Sequence, residues 1–135
     1  MDFRVETFDK ESPLMAWINL WAEARKFPFH KEIASDFGYM SFFEEKPIAA
    51  IFMYPVLSTS FVFLGFPISN PKVNQDVRHG AIDAIVAEAE KAAKLLNRKF
   101  IVSYAGSKGA VSMFSRLGYE QADKDVVQYI KYLGV

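Results

Sequence analysis

The chain has no cysteine, which excludes a disulfide scaffold, thiolate catalysis and cysteine-based zinc sites. Only two histidines are present, His30 and His79, so no His-rich metal site is expected and none is assigned. Excess charge is also lacking: 16 basic and 16 acidic residues cancel to zero over 135 residues. Without a global field the chain is not drawn onto DNA, RNA or anionic lipid. We therefore expect neither a nucleic-acid nor a membrane partner. Met1 to Glu6 has no apolar run behind a basic head, so no secretion signal is read there. With no cysteine to oxidise, a cytoplasmic setting is expected.

Apolar side chains are abundant, at 51% of the residues, with 13 Phe, 6 Tyr and 2 Trp. That is enough to bury a core, and the length fits one domain over 1–135. Pro47 to Pro71 carries no charge and is long enough to cross a bilayer. Its four prolines and the central Ser58-Thr59-Ser60 argue instead for a buried β-hairpin made of two apolar runs, Ile48 to Leu57 and Phe61 to Ile68.

Phe3 to Phe8 alternates as a half-buried strand. Ser12-Pro13 starts a helix on which Leu14, Trp17, Ile18 and Trp21 make one apolar face, with Trp17 and Trp21 both read as core. Phe27-Pro28 ends it, and His30 to Ser35 is a short helical turn. Phe37 to Glu44 is a strand and Glu45-Lys46-Pro47 a turn before the hairpin. After the loop Asn70 to Gln75, with Asn74 or Asp76 as cap, comes a long helix with the stripe Ile82, Ile85, Ala89, Ala92, Ala93 and Leu96. Phe100 to Tyr104 is a strand. A short helix follows, with Ala110, Val111 and Phe114 inward and Gly118 as a left-handed cap. Tyr119 to Ala122 and Val126 to Leu133 are expected to pair as a terminal hairpin. Val126 to Leu133 is apolar on both faces, which leaves a central strand and a homodimer surface both open. The order β, α, β, β, β, α, β, α, β, β specifies a mixed α/β (α+β) fold: a mostly antiparallel sheet with helices on both faces.

This order resembles the GNAT acyltransferase fold over nearly the whole chain. Val77-Arg78-His79-Gly80-Ala81-Ile82, opening the long helix, is similar to the family's pyrophosphate motif: Gln or Arg, two residues, Gly, one residue, then Gly or Ala. Small residues and backbone N–H groups at a helix start suit a phosphate. Ser107 to Glu120 is similar to the family's following helix, above all in its ending Arg116-Leu117-Gly118-Tyr119. There are departures. Gly80 falls on the first motif Gly, but Ile82 stands for the second small residue and Val77 for Gln or Arg. Ser107 replaces the usual Asn. Phe114 sits where many members carry the Tyr that protonates the leaving thiolate, and the strand Phe61–Ile68 lacks the frequent Glu base. Such reduced motifs resemble those of small phage GNAT proteins.

The resemblance implies acetyl-CoA as cofactor and a sheet splayed between its fourth and fifth strands, where the pantetheine arm enters. It implies cofactor contacts at Phe66, Ile68, Arg78, His79, Gly80, Ala81, Ile82, Ser107 and Phe114. Tyr104, at the end of the fifth strand, is then the candidate proton donor, with a ring that merely packs as the alternative. Lys72, Arg78, Lys108 and Arg116 are expected at one end of the sheet, and Tyr54, Glu44 and Glu45 are candidates for the acceptor pocket. The implied function is N-acetyl transfer to an amine of a small molecule or protein. The alternative is a non-catalytic member that binds coenzyme A or a protein partner without turnover. An unrelated α/β binding domain is a third reading, and a closed sheet between Phe61–Ile68 and Phe100–Tyr104 would exclude the first two.

Overall fold

The computed structural model describes residues 1–26, 29–123, 129 and 131–134. They fall into two compact units, Met1–Ser103 and Tyr104–Val135. The first unit holds β1 (Arg4–Phe8), α1 (Met15–Ala24), a 3-10 turn (Lys31–Ile33), β2 (Gly38–Phe43), β3 (Lys46–Pro55), β4 (Phe61–Ser69), α2 (Gln75–Leu95) and β5 (Phe100–Val102). The second holds α3 (Lys108–Arg116).

The strands form one sheet in the order β1-β2-β3-β4-β5. Neighbours are antiparallel from β1 to β4, and β5 runs parallel to β4. The uncharged stretch is therefore a hairpin, β3–β4, as its prolines and polar tip imply. Among the described residues no helix is long and apolar enough to cross a membrane. The β2–β3 turn sits one residue earlier than its sequence suggests. Glu44 and Glu45 both take positive φ, 52° and 63°, the backbone of a two-residue turn whose twist matches the flanking strands. Pro47 lies inside β3 opposite Phe42, next to a register shift.

Alternate strand residues face opposite sides of the sheet. Met40, Phe42, Ala50, Phe52 and Ile68 join Met15, Ile18, Trp21 and Ala22 of α1 in one buried cluster. The burying stripe of α1 is thus centred on Ile18. Trp17 lies about 100° round the helix from it, and is 41% exposed with its ring 6.4 Å from that of Trp21. Only Trp21 of the pair is core, which corrects the expectation for Trp17. The opposite strand face, with Tyr39, Ala49, Ile51, Met53, Val62 and Leu64 buried, lies under α2, which packs across β2 and β3. Burial, with the nearby Glu88 of α2 as the smaller cause, pushes the Tyr39 phenol pKa up. The buried stripe of α2 is Ala81, Ile85, Val86, Ala89 and Ala93. Leu96 is the helix C-cap and largely exposed.

In the second unit Ser107 caps α3 by accepting from the Ala110 N–H at 3.2 Å. The buried residues of α3 are Met113 and Phe114, whereas Val111 is exposed. Gly118, at φ +87°, ends the helix as expected. Its N–H donates to the Ser115 carbonyl at 3.2 Å, and that of Tyr119 to the Phe114 carbonyl at 2.9 Å. This is the Schellman pattern, completed by the Phe114–Tyr119 ring contact at 5.1 Å. The first arm of the expected terminal hairpin does not form: Tyr119 to Ala122 carries no strand. The one large apolar side chain in that stretch is spent on Phe114, and the Gln121 amide turns back to the Asp123 carbonyl. Most of the second arm, Val126 to Leu133, lies outside the described residues.

Candidate functional site

The site is built on β4. Its sequence Gly65-Phe66-Pro67 cannot continue a regular ladder, because Pro67 has no N–H to donate. The chain resolves this with a bulge: Ala50 pairs with Ile68 and Phe52 with Gly65, so Phe66 and Pro67 together oppose Ile51. Phe66 sits at φ +56°, uncommon for an aromatic residue and characteristic of places where backbone geometry is used. Its ring is held by Phe29 at 5.9 Å and Tyr54 at 6.0 Å. The Tyr54 hydroxyl donates to the Ile33 carbonyl at 2.7 Å, which ties the 3-10 turn to this face.

Pairing between β4 and β5 covers only Phe61–Phe100, Val62–Ile101 and Phe63–Val102. The Ser103 hydroxyl then donates to the Leu64 carbonyl at 2.5 Å. Beyond that point β4 continues to Ser69 while β5 has ended. The bulge thus lies on the length of β4 that lacks a β5 partner, and among the described residues the sheet is not closed there.

At the end of β4, Arg25 grips Ser69. Its Nε donates to the Ser69 carbonyl and its Nη2 to the Ser69 Oγ, both at 3.0 Å. Burial, and to a lesser degree the charge of Arg78, lowers the Arg25 pKa. Among the described residues neither forms an ion pair. Arg25 was not singled out in the sequence. It lies in no motif, and only the return of α1 to the end of β4 brings it to the site.

The pyrophosphate-like motif lies further into α2 than its sequence suggests. Asn74 is the N-cap: its side chain accepts from the Val77 N–H at 3.0 Å and its carbonyl from the Arg78 N–H at 3.1 Å. Arg78, His79, Gly80, Ala81 and Ile82 follow in the helix body, where N–H groups bond back along the helix. His79 is exposed, 3.5 Å from the Gln75 amide, and Ala81 is buried. Gly80 has a packing reason of its own: a Cβ there would lie 2.6 Å from the ring of Phe3. Gly80→Ala is expected to cost about 1–3 kcal/mol through displacement of that ring. Urea denaturation would measure it, and Phe3→Ala should relieve most of the added cost.

Of the other candidates, Phe66 and Ile68 share the bulged end of β4. Ser107 and Phe114 are the cap and the buried face of α3. Tyr104 begins the second unit, 38% exposed, with its phenol pKa raised by burial. Glu44 and Glu45 form the β2–β3 turn, where Glu45 accepts from Arg4 at 3.1 Å. Lys72 and Arg78 belong to the first unit, Lys108 and Arg116 to the second. An open groove of about 310 Å³ lies beside the start of α2, with Phe43, Ile48, Val73 and Val77 as apolar lining and Lys46 and Lys72 as cations.

No family model matches the chain, and no curated protein matches it in sequence. Solved structures do match in fold. The ribosomal-protein-S18-alanine N-acetyltransferase of Escherichia coli superposes with a TM-score of 0.70 at 14% identity, over 90% of this chain and 80% of that one. A probable acetyltransferase from Staphylococcus epidermidis gives 0.69 at 13% identity, over 90% and 86%. AAC(6')-Iy, bound to the bisubstrate analogue CoA-S-monomethyl-acetylneamine, gives 0.68 at 16% identity, over 98% and 99%. The chain therefore has the GNAT acetyltransferase fold.

Proposed function

We propose that the chain is a cytoplasmic N-acetyltransferase, working as one domain over 1–135, that transfers acetyl from acetyl-CoA directly to an amine of a protein or small molecule. The observation that carries this reading is the bulged length of β4 left without β5, in a fold shared with acetyltransferases. The residues at hand fit the cofactor: two guanidiniums that form no ion pair among the described residues suit its phosphates. In this reading Arg25 and Arg78 hold the diphosphate, and the unpaired edge of β4 orients the amide-bearing arm. Phe66 and Ile68, at the bulge, are the proposed contacts of that arm. Acetyl-CoA would supply the activated acetyl group, whose carbonyl oxygen gains charge as the amine attacks. Fixed N–H groups that meet this charge lower the barrier, and positioning does the rest. Tyr104 is the proposed proton donor.

A second reading, a fold that binds coenzyme A or a protein without turnover, is favoured by one observation. The Val77 and Arg78 amides, which would cradle a phosphate, are taken by Asn74. Calorimetric titration with acetyl-CoA and coenzyme A, followed by thiol release against a panel of amines, separates the two. Binding with release on at least one amine supports the transferase. Binding without release on any amine assigns the second reading, and no binding by the folded protein overturns acetyl-CoA dependence.

A further inference from the structure

We propose that Arg98 and Ser103 are positioning residues that fix the register of β5 on β4, and with it the point along β4 where pairing stops and the free, bulged length begins. The proposal rests on the acetyl-CoA reading only for what that free length would hold.

The strand β5 does not specify its own register. It is three residues long, Phe100–Val102, and all three are apolar. They pair with Phe61, Val62 and Phe63, an equally apolar run. A slip would therefore bury no polar side chain and expose no new kind of surface. Phe100 and Val102 are 65% and 46% exposed, so neither is keyed into the core. Register is strongly specified only where a strand has one buried face distinct from the other.

Side chains at the two ends of the ladder supply what the pattern lacks. Ahead of β5, α2 closes in a Schellman motif. Asn97 stands at φ +57°, its N–H donates to the Lys94 carbonyl and that of Arg98 to the Ala93 carbonyl, both at 3.0 Å. The backbone of Arg98 is thus tied to a helix that packs across β2 and β3. Its Nη1 reaches the turn between β3 and β4, where the carbonyls of Val56, Thr59 and Phe61 converge on it at 2.7, 3.0 and 3.1 Å. The N–H groups of Lys99 and Phe100 both donate to the Ser60 carbonyl, at 2.7 and 3.1 Å. The smallest slip that keeps each side chain on its own face is two residues, and it would move Phe100 about 7 Å from this anchor. At the far end, the Ser103 hydroxyl donates to the Leu64 carbonyl at 2.5 Å, one residue before Gly65 at the bulge. That bond occupies an acceptor which a longer β5 would use, so the ladder stops short of the bulge.

The chain has no cysteine, so engineered pairs in the full chain report the register directly. Strand neighbours lie about 4.8 Å apart, within reach of a disulfide, whereas partners two residues out of register are about 8 Å apart, beyond the roughly 7 Å limit. Phe61→Cys with Phe100→Cys matches the observed register. Phe63→Cys with Phe100→Cys, and Phe61→Cys with Val102→Cys, match slips of two in either direction. On mild oxidation, read by mass spectrometry, only the matched pair should crosslink. Adding Arg98→Gln and Ser103→Ala should raise the rate of a slipped pair about tenfold, the worth of the hydrogen bonds removed. Arg98→Lys with Ser103→Thr keeps the cation and the hydroxyl and should restore the matched pattern. In the cysteine-free chain, coenzyme A affinity should fall about tenfold with the first two substitutions and recover with the second two. If the Arg98→Gln, Ser103→Ala chain does not fold, Ser103→Ala alone carries the same test. A purely structural role would lower the urea midpoint but leave the crosslinking pattern of the folded protein unchanged, and that result overturns the proposal whatever coenzyme A does. A changed pattern with wild-type affinity for coenzyme A overturns the link between register and site. A changed pattern in a chain whose wild type binds no coenzyme A supports the register role and overturns the acetyl-CoA reading instead.

Discussion

Phe52→Ala is expected to destabilise the protein by about 3–5 kcal/mol, a large part of the roughly 5–15 kcal/mol that holds a domain together. Phe52 is fully buried in the middle strand of the sheet. Its ring stands edge-on to Phe8 and stacked on Phe29, each at 5.6 Å. Below it the backbone is paired on both sides, with Gly38 in β2 and Gly65 in β4. Strands tied in this way cannot close into the space that the ring leaves, so the transfer and cavity terms add. Neither opposing residue has a side chain to fill the gap. Urea denaturation measures the change as a fall in midpoint at constant slope. Trp17→Ala, at the margin of α1, should cost under about 1 kcal/mol. Equal losses from the two variants would show that the core is not centred on β3.

The order of elements through α3 was legible because each element carries its own periodicity or punctuation. The hairpin announces itself in two apolar runs around Ser58-Thr59-Ser60. The end of α3 is written in Gly118. Trp17 was misread because a helix face is a sector whose centre only the sheet decides, and here it falls on Ile18. Of the expected terminal hairpin only the first arm, Tyr119 to Ala122, lies wholly among the described residues, and there Tyr119 turns to Phe114 instead of entering a strand.

The site was less legible than the fold. Phe66 and Ile68 are what the resemblance implies on the fourth strand, and Pro67, two residues after Gly65, does hint at a bulge. The shift of the motif into the body of α2 follows from Asn74 taking the cap, one of two caps that the sequence left open. Gly80 matches a phosphate motif and a packing contact equally well, since both need the absence of a Cβ. Arg25 could not be found by motif. What marks it is a pair of hydrogen bonds to Ser69, a contact between distant segments that no local pattern encodes.

Tyr104→Phe is expected to lower kcat of the proposed transferase by about 10²–10⁴-fold, the usual worth of a positioned proton donor, with KM little changed. The residue follows β5, directly after the point where pairing with β4 stops. Burial raises its phenol above the ordinary value of 10.0, because a phenolate loses more than a phenol when water is removed. The proton is therefore retained throughout the neutral range, which suits a donor to a leaving thiolate and disqualifies a base. The sign of the pH dependence follows. The protonated form is the active one, so kcat should hold through neutral pH and fall only above the ordinary phenol value. Tyr104→Phe should have a lower, flat profile without that alkaline limb. Melting temperatures at each pH separate this from unfolding, since a phenol kept neutral by the fold also costs stability as pH rises past its unfolded value. A kcat within twofold of wild type would assign Tyr104 to packing alone. Water or the amine itself would then carry the proton.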